Sequence, residues 1–108
     1  MADYFYDVDG AQRIGILGQY VGESLQSLMG ANDMIMKDGA LSHKTKELIA
    51  LACTHITQCP YCIDGHAKAA KEAGATEAEI AEAIMVAVAV SIGAPLAHSS
   101  IALKALEE

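Results

Sequence analysis

Residues 59–92 read CPYCIDGHAKAAKEAGATEAEIAEAIMVAVAVSI, and this stretch decides the fold class. Pro60 suits the first turn of a helix, where its missing N–H has no partner to lose. A helix begun there runs to about Ala73, and Gly74 stands where a C′ glycine ends a helix. Thr76-Glu77-Ala78-Glu79 then reads as a capping box, the Thr76 hydroxyl accepting from the Glu79 N–H while the Glu79 carboxylate reaches back. Beyond it Ile80, Ala83, Ile84, Ala87, Val88 and Ser91 recur at helical spacing. Val86, Val88 and Val90 alternate as a strand would, but the cap, the intervening alanines and the length select a helix.

The same reading extends in both directions. Upstream, Asp38-Gly39 is a turn signal and Ser42 can cap a helix running to about Thr57. That helix places Thr45, Leu48, Ile49, Ala52 and Ile56 on one face. Before it, Ala11 to Lys37 carries Ile14, Leu17, Val21, Leu25, Leu28, Ile35 and Met36 at helical spacing. Gly15, Gly18, Gly22 and Gly30 weaken that run, so two helices with a break near Tyr20–Gly22 are expected. Downstream, Pro95 opens a last helix to about Leu106. The expected fold is therefore all-α, about six helices in a single domain over residues 1–108.

Composition supports this and adds a problem. Ala, Leu, Met and Ile dominate, aromatics are 5%, and there is one Phe and no Trp, which disfavours an all-β domain. With glycine counted and tyrosine left out, 62 of the 108 residues are apolar, above the roughly 45–50% of an ordinary soluble domain. A chain this small buries only about two-thirds of the surface exposed when it is unfolded. The excess apolar surface must meet either other copies of the chain or a membrane. No formal charge occurs between Glu82 and Lys104, but Gly93 and Pro95 break the run, and His98, Ser99 and Ser100 dilute it. No basic cluster flanks it, so self-association through apolar helices is expected and a membrane span is not. The acidic, aromatic start MADYFYDVDG does not read as a signal peptide, and a cytoplasmic protein is expected. A net charge of −7 disfavours nucleic acid as a partner.

Three cysteines in such a chain point to redox or metal chemistry rather than a disulfide framework. Cys59 and Cys62 form a CxxC pair, and His66 follows four residues on. On a helix these three positions lie within about 60° of one another, so two thiols and an imidazole share one stripe. A helix amino terminus favours a thiolate, which by itself would nominate Cys59 as the more acidic thiol. The pair can close to a disulfide and reopen by exchange, with a neighbouring histidine moving the proton. Upstream, Glu47 has Leu51 one turn later and Thr54 and His55 two turns later, which suggests a carboxylate facing a partly closed pocket. Its alternative is a surface residue paired with Lys44 or Lys46. A zinc site completed by His55 or Cys53 is the alternative for the cysteines, although four ligands within twelve residues would be unusually crowded. Cys53 reads as a small buried residue, His43 as an exposed first-turn residue and His98 as a core or interface residue. Met29, Met34, Met36 and Met85 read as core or contact residues.

Glu47, eleven residues, Cys59, two residues, Cys62, three residues, His66: this spacing resembles the signature of the alkylhydroperoxidase D family within the carboxymuconolactone decarboxylase-like superfamily. The flanking text DGALSHKTKELIALA and CPYCIDGHAKAAKEAGATEAEIAEAI is similar too, over roughly Lys37 to Val90. The resemblance implies an all-helical homo-oligomer, commonly trimeric or hexameric, acting as a thiol-dependent peroxidase or disulfide reductase. It would turn over a hydroperoxide or disulfide with an external thiol as electron donor and no cofactor. Position by position, Cys62 matches the peroxide-attacking cysteine, Cys59 the resolving one, and Glu47 and His66 the proton relay. One departure stands out: Tyr61 occupies the place before the second cysteine where family members often have histidine, and a phenol is no base near neutral pH. Two other functions stay open, a lyase like the lactone-decarboxylase branch, which generally lacks the cysteine pair, and a zinc-stabilised structural module.

Overall fold

The computed structural model describes residues 10–107 as six α-helices, with no strand among the described residues. They are α1 (Gly10–Ile14), α2 (Leu17–Ile35), α3 (His43–Thr57), α4 (Pro60–Glu72), α5 (Glu77–Ser91) and α6 (Gly93–Ala105). The acidic start of the chain, read above for a targeting signal, lies outside the described residues.

Local chemistry sets most of the boundaries. The Ser42 hydroxyl accepts from the Thr45 N–H at 3.1 Å and opens α3. The capping box at α5 is complete, the Glu79 N–H donating to the Thr76 hydroxyl at 3.1 Å and the Thr76 N–H to the Glu79 carboxylate at 2.9 Å. Gly74 has φ +95°, the left-handed geometry that ends α4. Inside α2, Val21 leaves helical geometry at φ −127°, ψ 40°, which is the break expected around Tyr20–Gly22. A second break falls at Gly15 and Ile16 and separates α1 from α2.

Two expectations shift. The last helix starts at Gly93 rather than Pro95, so only Ile92 separates it from α5. Proline in the first turn forfeits no helical hydrogen bond, and the Leu96 N–H still reaches the Ile92 carbonyl at 3.2 Å. Glu77–Ala105 thus forms one stretch long and apolar enough, by length and composition, to cross a membrane. In α3, the fully buried stripe is Glu47, Leu51 and Thr54, not the apolar face through Ile49 and Ile56, which stays exposed.

The core is a three-helix unit in which α3 packs against both α4 and α5. Leu51 (1% exposed) is the one large side chain fully buried among the described residues, and Ala70, Ala75 and Ala87 are buried as well. The other helices extend from this unit. No side chain of α2 or α6 is buried, and Leu96 and Leu106 are 72% and 81% exposed. His98, Met29, Met34 and Met85, expected at core or contact positions, are likewise exposed within the single chain. The radius of gyration is 18.1 Å, against about 13 Å for a compact domain of 100 residues. The apolar excess in the composition is displayed on the surface.

The candidate active site at the α3–α4 junction

The chain reverses sharply between α3 and α4. Gln58 caps α3 in the left-handed region, at φ 57° and ψ 50°, and the next residue is already the N-cap of α4. That N-cap is Cys59, whose Sγ accepts from the Cys62 N–H at 3.2 Å. A sulfur thus takes the place usually held by a serine or aspartate oxygen. Pro60 follows in the first turn, as its fixed φ and absent donor allow. Cys59 and Cys62 are joined as a disulfide with their Cα atoms 5.2 Å apart, and both residues are half-buried.

One turn further along α4, His66 meets Glu47 from α3. Its Nδ1 lies 2.8 Å from Glu47 Oε2. Glu47 is only 5% exposed, the pocket-facing placement expected of it, and its surface-pairing alternative fails: Lys44 bonds to Glu79 at 2.8 Å, and Lys46 donates to the Ile35 and Lys37 carbonyls. An ionised carboxylate only accepts, so Nδ1 of His66 carries hydrogen and Nε2 is the basic nitrogen of the neutral ring. A buried carboxylate so paired holds the imidazole in one tautomer.

The carboxylate has a second imidazole on its other side. His43, expected to be an exposed residue, is half-buried in the first turn of α3, with Nε2 3.9 Å from Glu47 Oε1. Sequence reading missed it, although its four-residue spacing from Glu47 on one helix was a usable signal.

Among the remaining residues Cys53 departs from expectation. Cys53 is exposed and free, because the buried stripe of α3 runs through Glu47, Leu51 and Thr54 instead. His55 bonds through Nδ1 to the Leu51 carbonyl at 2.8 Å, a helix-face role. Among the described residues no three His, Cys, Asp or Glu side chains converge on a possible metal position. Tyr61 packs against the start of α1, and a Cβ added to Gly10 would lie 2.8 Å from its ring. The residue replacing the family histidine therefore helps seat the first helix. An open cleft of about 670 Å³ lies alongside, and its wall includes His55, Gln58, Pro60 and Ile63, so both chain neighbours of Cys59 line it.

These features coincide with clear kinship. Residues 22–105 match the Carboxymuconolactone decarboxylase family. The chain belongs to this family. A protein of Paracoccus denitrificans described as "Uncharacterized protein 4 in cox locus" is 46% identical over 82 residues, 76% of this chain and 74% of that protein. A structural-genomics crystal structure from Methanobacterium thermoautotrophicum is 32% identical with a TM-score of 0.73, covering 79% of this chain and 98% of that one. Membership in the carboxymuconolactone decarboxylase and alkylhydroperoxidase D-like superfamily is what the Glu47, Cys59, Cys62, His66 spacing indicated. The close cysteine pair is consistent with a redox-active site within that fold.

Proposed function

We infer that the protein is a thiol-dependent oxidoreductase, an alkyl hydroperoxide reductase or disulfide reductase that cycles Cys59 and Cys62 between dithiol and disulfide. The observation that carries this reading is a disulfide at the start of α4, one turn from an imidazole paired with a buried carboxylate. In the peroxide half-reaction the Cys62 thiolate attacks the terminal oxygen of the hydroperoxide. The O–O bond breaks, Cys62 becomes a sulfenic acid, and the alkoxide leaves and takes up a proton. Cys59 then attacks the Cys62 sulfur, and the expelled hydroxide is protonated to water. An external dithiol reduces the resulting disulfide by exchange and restores both thiols. Glu47 and His66 move the protons this cycle removes and returns.

The cap geometry alone, with the Cys62 N–H and the amino end of α4 at Cys59 Sγ, favours a thiolate at Cys59; Cys62 takes the attacking role on the family pattern, with Cys59 as resolving nucleophile and leaving group. The cleft beside Cys59 has room for the organic part of a hydroperoxide or dithiol. Cofactor-free chemistry, a cytoplasmic setting and a homo-oligomer complete the reading. Self-association is favoured over a membrane because Pro95, His98, Ser99 and Ser100 interrupt the apolar α5–α6 surface.

The test is consumption of cumene hydroperoxide with dithiothreitol as donor. Wild-type protein should turn over, and Cys62→Ser should lose turnover while keeping its helical circular dichroism. Equal rates in the two would reject the assignment, and activity on a cyclic lactone acid surviving loss of both cysteines would favour the lyase branch.

A further inference from the structure

Glu47 has two carboxylate oxygens and two imidazoles. Oε2 takes the hydrogen of His66 Nδ1 on the α4 side, and Oε1 faces His43 Nε2 at 3.9 Å. The orientation of the His43 ring is fixed from behind, since Nδ1 lies 2.6 Å from the Met36 carbonyl at the end of α2. A carbonyl can only accept, so Nδ1 carries hydrogen and the basic nitrogen of neutral His43 is the one turned toward Glu47. The backbone holds this ring as well, its N–H donating to Asp38 Oδ1 at 2.7 Å.

The far side of His43 is wet. A cleft of about 370 Å³ is lined by Asp33, Met36, Lys37, Asp38, His43 and Glu47. The His43 side chain is 44% exposed, whereas that of Glu47 is 6%. The charged groups around the ring are Asp33, Lys37 and Asp38 from α2 and the following turn, and Glu47 from its own helix. Lys46 is held at the Ile35 and Lys37 carbonyls.

We propose that His43 is the outer member of a proton relay, His66–Glu47–His43, that connects the dithiol to solvent through the cleft between α2 and α3. This rests on the oxidoreductase reading given above. His43 touches no sulfur and acts through Glu47. The proton released as Cys62 ionises passes by way of His66 to the Glu47 carboxylate and from Oε1 to His43 Nε2, which gives it to cleft water. The same route run backwards supplies the protons taken up by alkoxide and hydroxide. At 3.9 Å the last transfer needs one bridging water or a small rotation of the carboxyl group, as is common before a site tightens on its substrate.

Two variants of the full chain separate relay from scaffold. His43→Asn keeps an N–H that can reach the Met36 carbonyl but has no second basic nitrogen. His43→Ala empties the site toward an open cleft. With cumene hydroperoxide and dithiothreitol, both variants should lose about tenfold or more in kcat near pH 7. Their pH–rate profiles should change shape, KM should hold, and millimolar imidazole should restore His43→Ala. An unchanged rate and profile in His43→Asn would overturn the relay, as would failure of imidazole to rescue a folded His43→Ala.

A second measurement needs no turnover. In imidazole nitrogen NMR spectra of reduced wild type, neutral His43 should be the Nδ1–H tautomer, and Glu47→Gln should move the ring-nitrogen signals of both His43 and His66. Signals untouched by that substitution would overturn the relay whatever the activity. Wild type inert toward hydroperoxides and disulfides would reject the oxidoreductase reading and leave the relay to be decided by these spectra.

Discussion

His66 on α4 and Glu47 on α3, 19 residues apart in the chain, meet through an Nδ1–carboxylate contact of 2.8 Å. The contact fastens the two helices together next to the disulfide and fixes which nitrogen of the imidazole can take a proton. Glu47→Gln keeps the shape but removes the carboxylate that accepts from His66 Nδ1. Thiol-dependent turnover should fall about 10²-fold or more, as for loss of an acid–base group. Glu47→Ala also strands a partly buried imidazole N–H and should cost about 1–3 kcal/mol in urea unfolding.

The two cysteines should be distinguishable by what accumulates when each is alone. Cys59→Ser leaves the proposed attacking thiol without a resolving partner. After one turnover with hydroperoxide it should hold a sulfenic acid on Cys62, trapped as a dimedone adduct in mass spectrometry. Cys62→Ser should give no adduct at Cys59 on the same timescale. The opposite pattern would exchange their roles.

The core is thin enough for one side chain to dominate it. Leu51→Ala opens a cavity beside Glu47 and Thr54 on the buried stripe of α3, and a loss of about 2–5 kcal/mol is expected. Urea unfolding should show this as a lower midpoint. Cys53→Ser, exposed on the same helix, should leave stability and turnover essentially unchanged.

At the start of α5, the Lys44 side chain and then the Thr76 backbone N–H, as hydrogen-bond donors, hold the Glu79 carboxyl below its ordinary value of 4.5. A carboxyl held low in the folded state stabilises the fold at pH above its unfolded value, and that contribution is lost as pH falls through the folded value. Glu79→Gln should therefore be less stable than wild type near pH 7, and the gap should close as the pH drops below 4.5. Thr76→Ala removes the other half of the box and should cost about 1 kcal/mol, a fall in Tm of roughly 4–8 °C.

The exposed apolar surface makes a separate prediction. If copies of the chain cover α6, Leu96→Glu and Ile101→Glu should shift the protein to smaller species in sedimentation velocity without loss of helix. A wild-type protein that sediments as a stable monomer in detergent-free buffer would contradict self-association.

How much of this was legible in the sequence depends on how local each signal is. Caps at Ser42, Thr76 and Gly74 rest on groups three or four residues apart and were readable directly. The spacing brings Glu47, Cys59, Cys62 and His66 to one junction because helix period and a tight turn determine who faces whom. For α3 the sequence offered two inward faces: Glu47, Leu51 and Thr54, which are buried, and an apolar face through Ile49 and Ile56, which a hydrophobic criterion prefers and which stays exposed. Cys53 was placed inside for the same reason. His43 reads as an exposed first-turn residue although it stands four residues before Glu47; the Met36 carbonyl that orients its ring has no signature in residue type. That α2 and α6 bury no side chain has no local signal, because it depends on which helices pack together and not on the residues within each.

The most direct measurement is a thiol count and intact mass on reduced protein before and after one equivalent of hydroperoxide. Loss of two thiols and two hydrogens is expected, with no oxygen added, Cys53 still free, and a peptide map linking Cys59 to Cys62. Retention of all three thiols, or stable oxygen addition without the Cys59–Cys62 link, would contradict it.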